Sequence, residues 1–234
     1  WHDGDGIGVL SFKSKMNTMP DLVRLPLRSV DGRPLPHKYF RNPEAAAGLI
    51  VTLPGNLYGP EGALLFYPSV LLGAMGWDTL AVTYGFQSAM TGAGPEAVAG
   101  AMEESASAVR AALERRSYPR IGLIGKSLGC AIAAQLCASE RALASARAVY
   151  LTPMIGTALF DPLFAKTAQP AYMAQGTADG FYDSAALEVL RRKRPFSLTL
   201  IENADHSLIV PGDLRGSVAA LERVTREVMA FLTA

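Results

Sequence analysis

Residues 123–130 read "LIGKSLGC". An apolar run leads in, two glycines flank a serine at G-x-S-x-G spacing, and the small-residue run "LGCAIAAQLCAS" leads out. A strand turning sharply into a helix at Ser127 accounts for all three features. Such a turn lifts the serine oxygen above the carboxyl edge of a sheet. The glycines would be required because backbone closes on backbone there and a Cβ would clash. Ser127 would also open a helix, where the dipole favours developing negative charge. A capping serine without chemistry explains the turn equally well, so the rest of the chain must decide.

Working outward, short apolar runs alternate with helical patterns from about residue 46, the signature of β-α-β units and a mainly parallel sheet. Strands are expected at "AAGLIVTLPG" (46–55), "DTLAVTYGF" (78–86), "RIGLIG" (120–125), "ARAVYLTPM" (146–154), "PAYMAQG" (170–176) and "FSLTLIENA" (196–204). Helices are expected at 62–76, 95–116, 127–143, 184–193 and 216–232. Pro95 stands where proline favours a first helical turn, and Val98, Met102, Val109 and Leu113 recur at helical spacing. Ahead of these, residues 21–42 alternate polar and apolar around Asp31 and Gly32, as an antiparallel hairpin would.

A serine hydroxyl needs a base to become nucleophilic. Of the three histidines, His2 lies in the leader and His37 in the hairpin, where a surface or core role fits better. His206, in "ENADHSL", follows the last expected strand and so returns to the same sheet edge as Ser127. The base in turn needs an acid. Asp179, in "YMAQGTADG", ends a strand at that edge, with Asp183 and Asp161 as alternatives. Asp183 is placed to cap the following helix, and Asp161 has no strand behind it. Asp205 reads as a turn residue.

"GKSLG", "GTAD" and "ADHSL", in that order and each after a strand, resemble the α/β-hydrolase-fold serine hydrolases, close to small carboxylesterases and dienelactone-hydrolase-like proteins. The resemblance covers roughly residues 20–234. It implies a mainly parallel central sheet with helices on both faces, an N-terminal antiparallel hairpin and a minimal cap. It also implies cleavage of small-molecule carboxylic esters of small to medium acyl chain through an acyl-enzyme, with Ser127, Asp179 and His206 as triad. A thioesterase or amidase with the same triad, or a non-catalytic ligand-binding protein of this fold, stays open. In such proteins the oxyanion hole pairs the amide after the nucleophile, here Leu128, with one from the loop after the third strand, here "PGNLYG", giving Asn56, or Leu57 in a longer loop. The chain departs from the family pattern in having Pro54 and Gly55 in place of a His-Gly pair. Lys126 stands where many relatives carry histidine, and either an anionic-substrate bias or simple packing would account for it. The 18 or so residues between Thr152 and Pro170 are too few for a cap domain. An open pocket edged by Met154, Phe160 and Phe164, with Tyr58 and Phe181 nearby, is therefore expected, although each could equally be a core residue.

Composition narrows the alternatives. Twenty-two basic against 21 acidic residues, scattered apart from Arg191 to Arg194, offer no stripe for nucleic acid. No stretch reaches the ~18 apolar residues of a spanning helix. No metal-ligand cluster is visible, and neither a metal nor another cofactor is expected. Cys130 and Cys137 fall in one helix, about 10.5 Å apart along its axis, too far for a disulfide. Unpaired thiols suit a cytoplasmic setting. A single domain is expected over 20–234, behind a leader at 1–19 that begins with Trp1 and lacks a secretory signal. Part of residues 1–15 is expected to come from cloning or processing, with Met16 or Met19 as natural starts.

Overall fold

The computed structural model describes residues 20–89 and 93–234. The leader, with His2, Met16 and Met19, lies outside the described residues. Eight strands form one sheet: β1 (Asp21–Val23), β2 (Lys38–Arg41), β3 (Leu49–Leu53), β4 (Asp78–Ala81), β5 (Ile121–Lys126), β6 (Arg147–Leu151), β7 (Ala171–Gly176) and β8 (Ser197–Ile201). Their order is β1-β2-β4-β3-β5-β6-β7-β8, parallel from β4 to β8, with β1 and β2 antiparallel at one edge. The expected hairpin is present, with Gly32 at φ +85° in its turn.

The helices are α1 (Ala63–Ala74), α2 (Gly85–Ser88), α3 (Pro95–Arg115), α4 (Leu128–Ser139), α5 (Asp161–Phe164), α6 (Ser184–Lys193) and α7 (Leu214–Thr233). Alternate residues along the central strands feed two cores. Leu123 and Tyr150 pack with α3, α4 and α6 on one face, while Ile124, Val149 and Leu151 pack with α1 and α7 on the other. Strands covered on both faces are mostly apolar, as "LIVTL" of β3, buried at all its positions, is.

The strand expected at 78–86 is shorter than its pattern. Val82, Tyr84 and Phe86 are all buried, but the backbone leaves the ladder after Ala81. Gly85 N–H donates to Glu104 Oε2 of α3 at 2.8 Å, and Tyr84 N–H donates to Gln87 Oε1 at 3.2 Å, so the chain turns into α2 instead. The helix expected to reach residue 143 stops at Ser139, with a single 3-10 turn beyond it.

His37 is a core residue. Its Nδ1 accepts the Thr83 N–H at 3.1 Å, which joins the start of β2 to the end of β4. Burial holds the imidazole neutral by pushing its pKa down from 6.5 to about 4. The unfolded chain therefore binds a proton that the folded chain refuses between those values, so stability falls as pH drops through that window. The loss attributable to His37 is on the order of 3 kcal/mol. Chemical denaturation of wild type and His37→Gln at pH 7 and pH 4 should show the variant losing less, and an equal loss in both would contradict this.

Candidate active site

Ser127 joins β5 to α4 with φ +54° and ψ −114°. A side chain tolerates such backbone only where the surroundings enforce it, at a cost of about 1–3 kcal/mol. The surroundings do so. Ser127 N–H donates to Leu151 O at 3.0 Å, and its carbonyl accepts from Cys130 N–H at 2.9 Å. A Cβ on Gly125 would collide with the Gly129 carbonyl, and one on Gly129 would collide with the Leu53 carbonyl at the end of β3. Both motif glycines are thus used for close approach of backbones, as the sequence implied.

Two further loops reach this edge because they are stitched to each other. Thr177 N–H donates to Ile201 O, Ala178 N–H to Ala204 O and Asn203 N–H to Thr177 Oγ1, at 2.8 to 3.0 Å. Gly176 makes the approach possible, since a Cβ there would strike the Ala204 carbonyl. The loop after β7 carries Asp179, and the loop after β8 carries His206.

The three side chains form one hydrogen-bonded series. Ser127 Oγ lies 2.8 Å from His206 Nε2, and His206 Nδ1 lies 2.8 Å from Asp179 Oδ2. With the proton on Nδ1, the imidazole donates to the carboxylate and accepts from the hydroxyl. Asp179 is 5% exposed, and its charge is further met by Gln175 Nε2 at 2.7 Å and by Phe181 N–H at 2.9 Å. Such a series can take a proton from the serine and hold the resulting imidazolium against a carboxylate. The alternative acids are occupied elsewhere. Asp183 caps α6 by accepting from Ala186 N–H, and Asp161 accepts from Gly156 N–H. Asp205 closes the His206 turn through Ser207 and Ile209 N–H.

Leu128 is the first residue of α4, so its N–H has no acceptor within the helix. Gly55 touches the site directly, because a Cβ on it would lie 3.3 Å from Ser127 Cβ. Gly55 N–H is committed to Tyr58 O at 3.0 Å, which leaves Asn56 as the next amide along that turn. Leu57 projects into solvent.

Of the expected pocket residues, Phe181 is part exposed, with its ring 5.3 Å from the imidazole. Met154 is half-buried against the core, and Tyr58 is held by Leu64 N–H donating to its hydroxyl. Phe160 and Phe164 are not at a pocket edge. Both are fully buried, stacked on each other and packed edge-on against Tyr150, with the Arg194 guanidinium over Phe164. The segment between β6 and β7 uses its aromatics to seal the core under α4 rather than to build a cap.

Two more residues bear on the site: Gln175, which the sequence does not single out, and Lys126, which it does. Gln175, buried in β7, holds the acid. Lys126 is 1% exposed, makes no ion pair among the described residues, and places its ammonium 5.3 Å above the Tyr58 ring. Among the described residues, no group of three or more His, Cys, Asp or Glu is arranged to hold a metal, and no helix is long and apolar enough to cross a membrane.

The profile of the family described as "Alpha/beta hydrolase domain" matches residues 75–233. The chain belongs to that family. Solved structures similar to this hydrolase include an alpha-beta serine hydrolase homologue from Coxiella burnetii, with TM-score 0.67 and 16% identity over 93% of this chain and 98% of that one. A serine hydrolase without lid from Xanthomonas campestris gives 0.65 and 17% over 92% and 96%. A dienelactone hydrolase from Anabaena variabilis gives 0.68 and 15% over 92% and 100%. These likenesses are of fold. No curated protein matches the sequence.

Burial pushes the Lys126 ammonium down to about 8, with Asp179 and Asp205 pulling weakly the other way. Below that value the folded hydrolase carries a desolvated charge, and the penalty lifts as pH rises. Lys126→Met should therefore be more stable than wild type at pH 7, with the advantage shrinking by about 2 kcal/mol by pH 9.5. Denaturation curves at the two pH values test this, and a pH-independent difference would contradict it.

Proposed function

We propose that this protein is a serine carboxylic ester hydrolase acting through an acyl-enzyme, folded as a single domain over residues 20–234. The observation that carries the reading is the unbroken series from Ser127 Oγ through His206 to Asp179 at the carboxyl edge of the sheet. In this reading His206 Nε2 takes the Ser127 proton as Oγ attacks the ester carbonyl carbon. The carbonyl electrons move onto oxygen, and the N–H groups of Leu128 and Asn56 receive that oxyanion. Collapse expels the alkoxide, which leaves with the proton from His206. Water, deprotonated by the same nitrogen, then attacks the acyl-Ser127 carbonyl, and Ser127 Oγ departs with that proton from His206 as the acid is freed. Asp179 accepts the His206 Nδ1–H and stabilises the imidazolium. The steps balance without a cofactor.

The absence of any large element between β6 and β7 supports an open site. A cleft of about 460 Å³ is lined by Ile155, Gly156, Gly180, Phe181, Tyr182, Asp183 and Ser184; of these Phe181 neighbours the site, with its ring 5.3 Å from the imidazole. An open site of this kind supports small to medium acyl groups, with Phe181, Met154 and Tyr58 as flanking side chains. The unpaired, buried thiols of Cys130 and Cys137 support a cytoplasmic setting.

A panel of esters and thioesters of graded acyl length, assayed with single variants, tests the assignment. Ser127→Ala and His206→Ala should each lower kcat/KM on the order of 10⁴-fold or more, since such groups act as a unit. Asp179→Asn should cost less, though still orders of magnitude. Ser127→Ala retaining activity within tenfold of wild type would remove the nucleophile from the account.

A further inference from the structure

On the face of the sheet away from α3 and α4, α1 and α7 lie side by side. From Ala63 to Ala74, α1 carries no charged residue, and its outward positions are apolar too: Phe66, Tyr67, Val70 and Leu71 are each 43 to 50% exposed. A helix apolar on all sides normally lies within a core. On α7, Val218 at 58% and Leu214 at 79% exposed extend the same face. Between the helices runs a groove of about 510 Å³, floored by Tyr67, Leu71, Val218, Leu221 and Met229. An apolar patch of this kind marks a surface that is covered by something.

Two charges of opposite sign line the groove. Glu222 and Arg226 stand one turn apart on α7 beside the groove. One position along, Arg223 and Glu227 close an intrahelical ion pair at 2.9 Å. Glu222 and Arg226 have the spacing and order that favour such a pair. Among the described residues neither makes one.

We propose that this face binds a second copy of the chain, with α7 packed antiparallel on the partner's α7 about a two-fold axis between positions 222 and 226. A two-fold interface must be self-complementary, each residue meeting its counterpart's partner. Here Glu222 meets the partner's Arg226, and Arg226 meets the partner's Glu222, while the apolar floors of the two grooves face each other. A hydrocarbon surface would desolvate both Glu222 and Arg226, and the balanced composition supplies no general attraction to anionic lipid.

Sedimentation velocity of the full chain, over a concentration series at physiological salt, tests this. Wild type should be a dimer. Glu222→Arg and Arg226→Glu singly should weaken dimerisation at least about tenfold, because each sets like charges opposite each other at two symmetry-related points. The double swap should restore it, which a merely disruptive substitution would not do. A wild-type monomer at every concentration would overturn the proposal. Flotation with phosphatidylcholine vesicles, or protection of residues 1–19 from protease, would then show what covers the face. A dimer unmoved by either reversal, or a double swap as weak as the single variants, would equally overturn it.

Discussion

The arrangement of this molecule depends on a steric constraint at one point, where the first turn of α4 lies directly on the end of β3. Gly129 is there because no Cβ fits beneath the Leu53 carbonyl, and Gly125 because none fits beneath the Gly129 carbonyl. Two absent side chains let strand, turn and helix stack within backbone contact. The stacking forces Ser127 to positive φ and lifts its oxygen clear of the sheet. It also brings the Gly55 turn against the serine, where a Cβ on Gly55 would lie 3.3 Å from Ser127 Cβ. The strain of one residue is thus sustained by the burial of three packed elements.

A second glycine contact supplies the rest of the site. Gly176 lets the loop after β7 lie against the loop after β8, and three hydrogen bonds fix their register. Asp179 and His206 are thereby held side by side, with the acid bonded by Gln175 and a backbone amide as well as by the imidazole. The buried charges here are handled in different ways. Asp179 is satisfied by donors on all sides, and Glu104 is used to pin the Gly85 amide. Lys126 makes no ion pair among the described residues and has its ammonium 5.3 Å above the Tyr58 ring. A buried ammonium met by so little is stabilised poorly, which is why burial dominates its titration.

Much of this was legible in the sequence because it rests on local rules. The glycine spacing around Ser127, the apolar runs of strands covered on both faces, and the position of Asp179 and His206 just past strand ends all follow from backbone geometry and chain order. The features that escaped are those decided by distant partners. Alternation at Val82, Tyr84 and Phe86 promised more strand, but Glu104, far along the chain, takes the Gly85 amide and ends it. Phe160 and Phe164 looked like pocket residues because they lie in a loop, and their burial depends on Tyr150, in β6, and on Arg194, beyond α6. Gln175 carries no pattern of its own: its role appears only when the loop after β7 folds back over it.

The central claim is that Ser127 is an activated nucleophile. The direct measurement is reaction of the intact protein with a fluorophosphonate probe, the adduct mapped by mass spectrometry, with His206→Ala alongside. A stoichiometric adduct on Ser127 that is lost in the variant is expected. An unlabelled wild type, or an adduct on another residue that survives in His206→Ala, would contradict it.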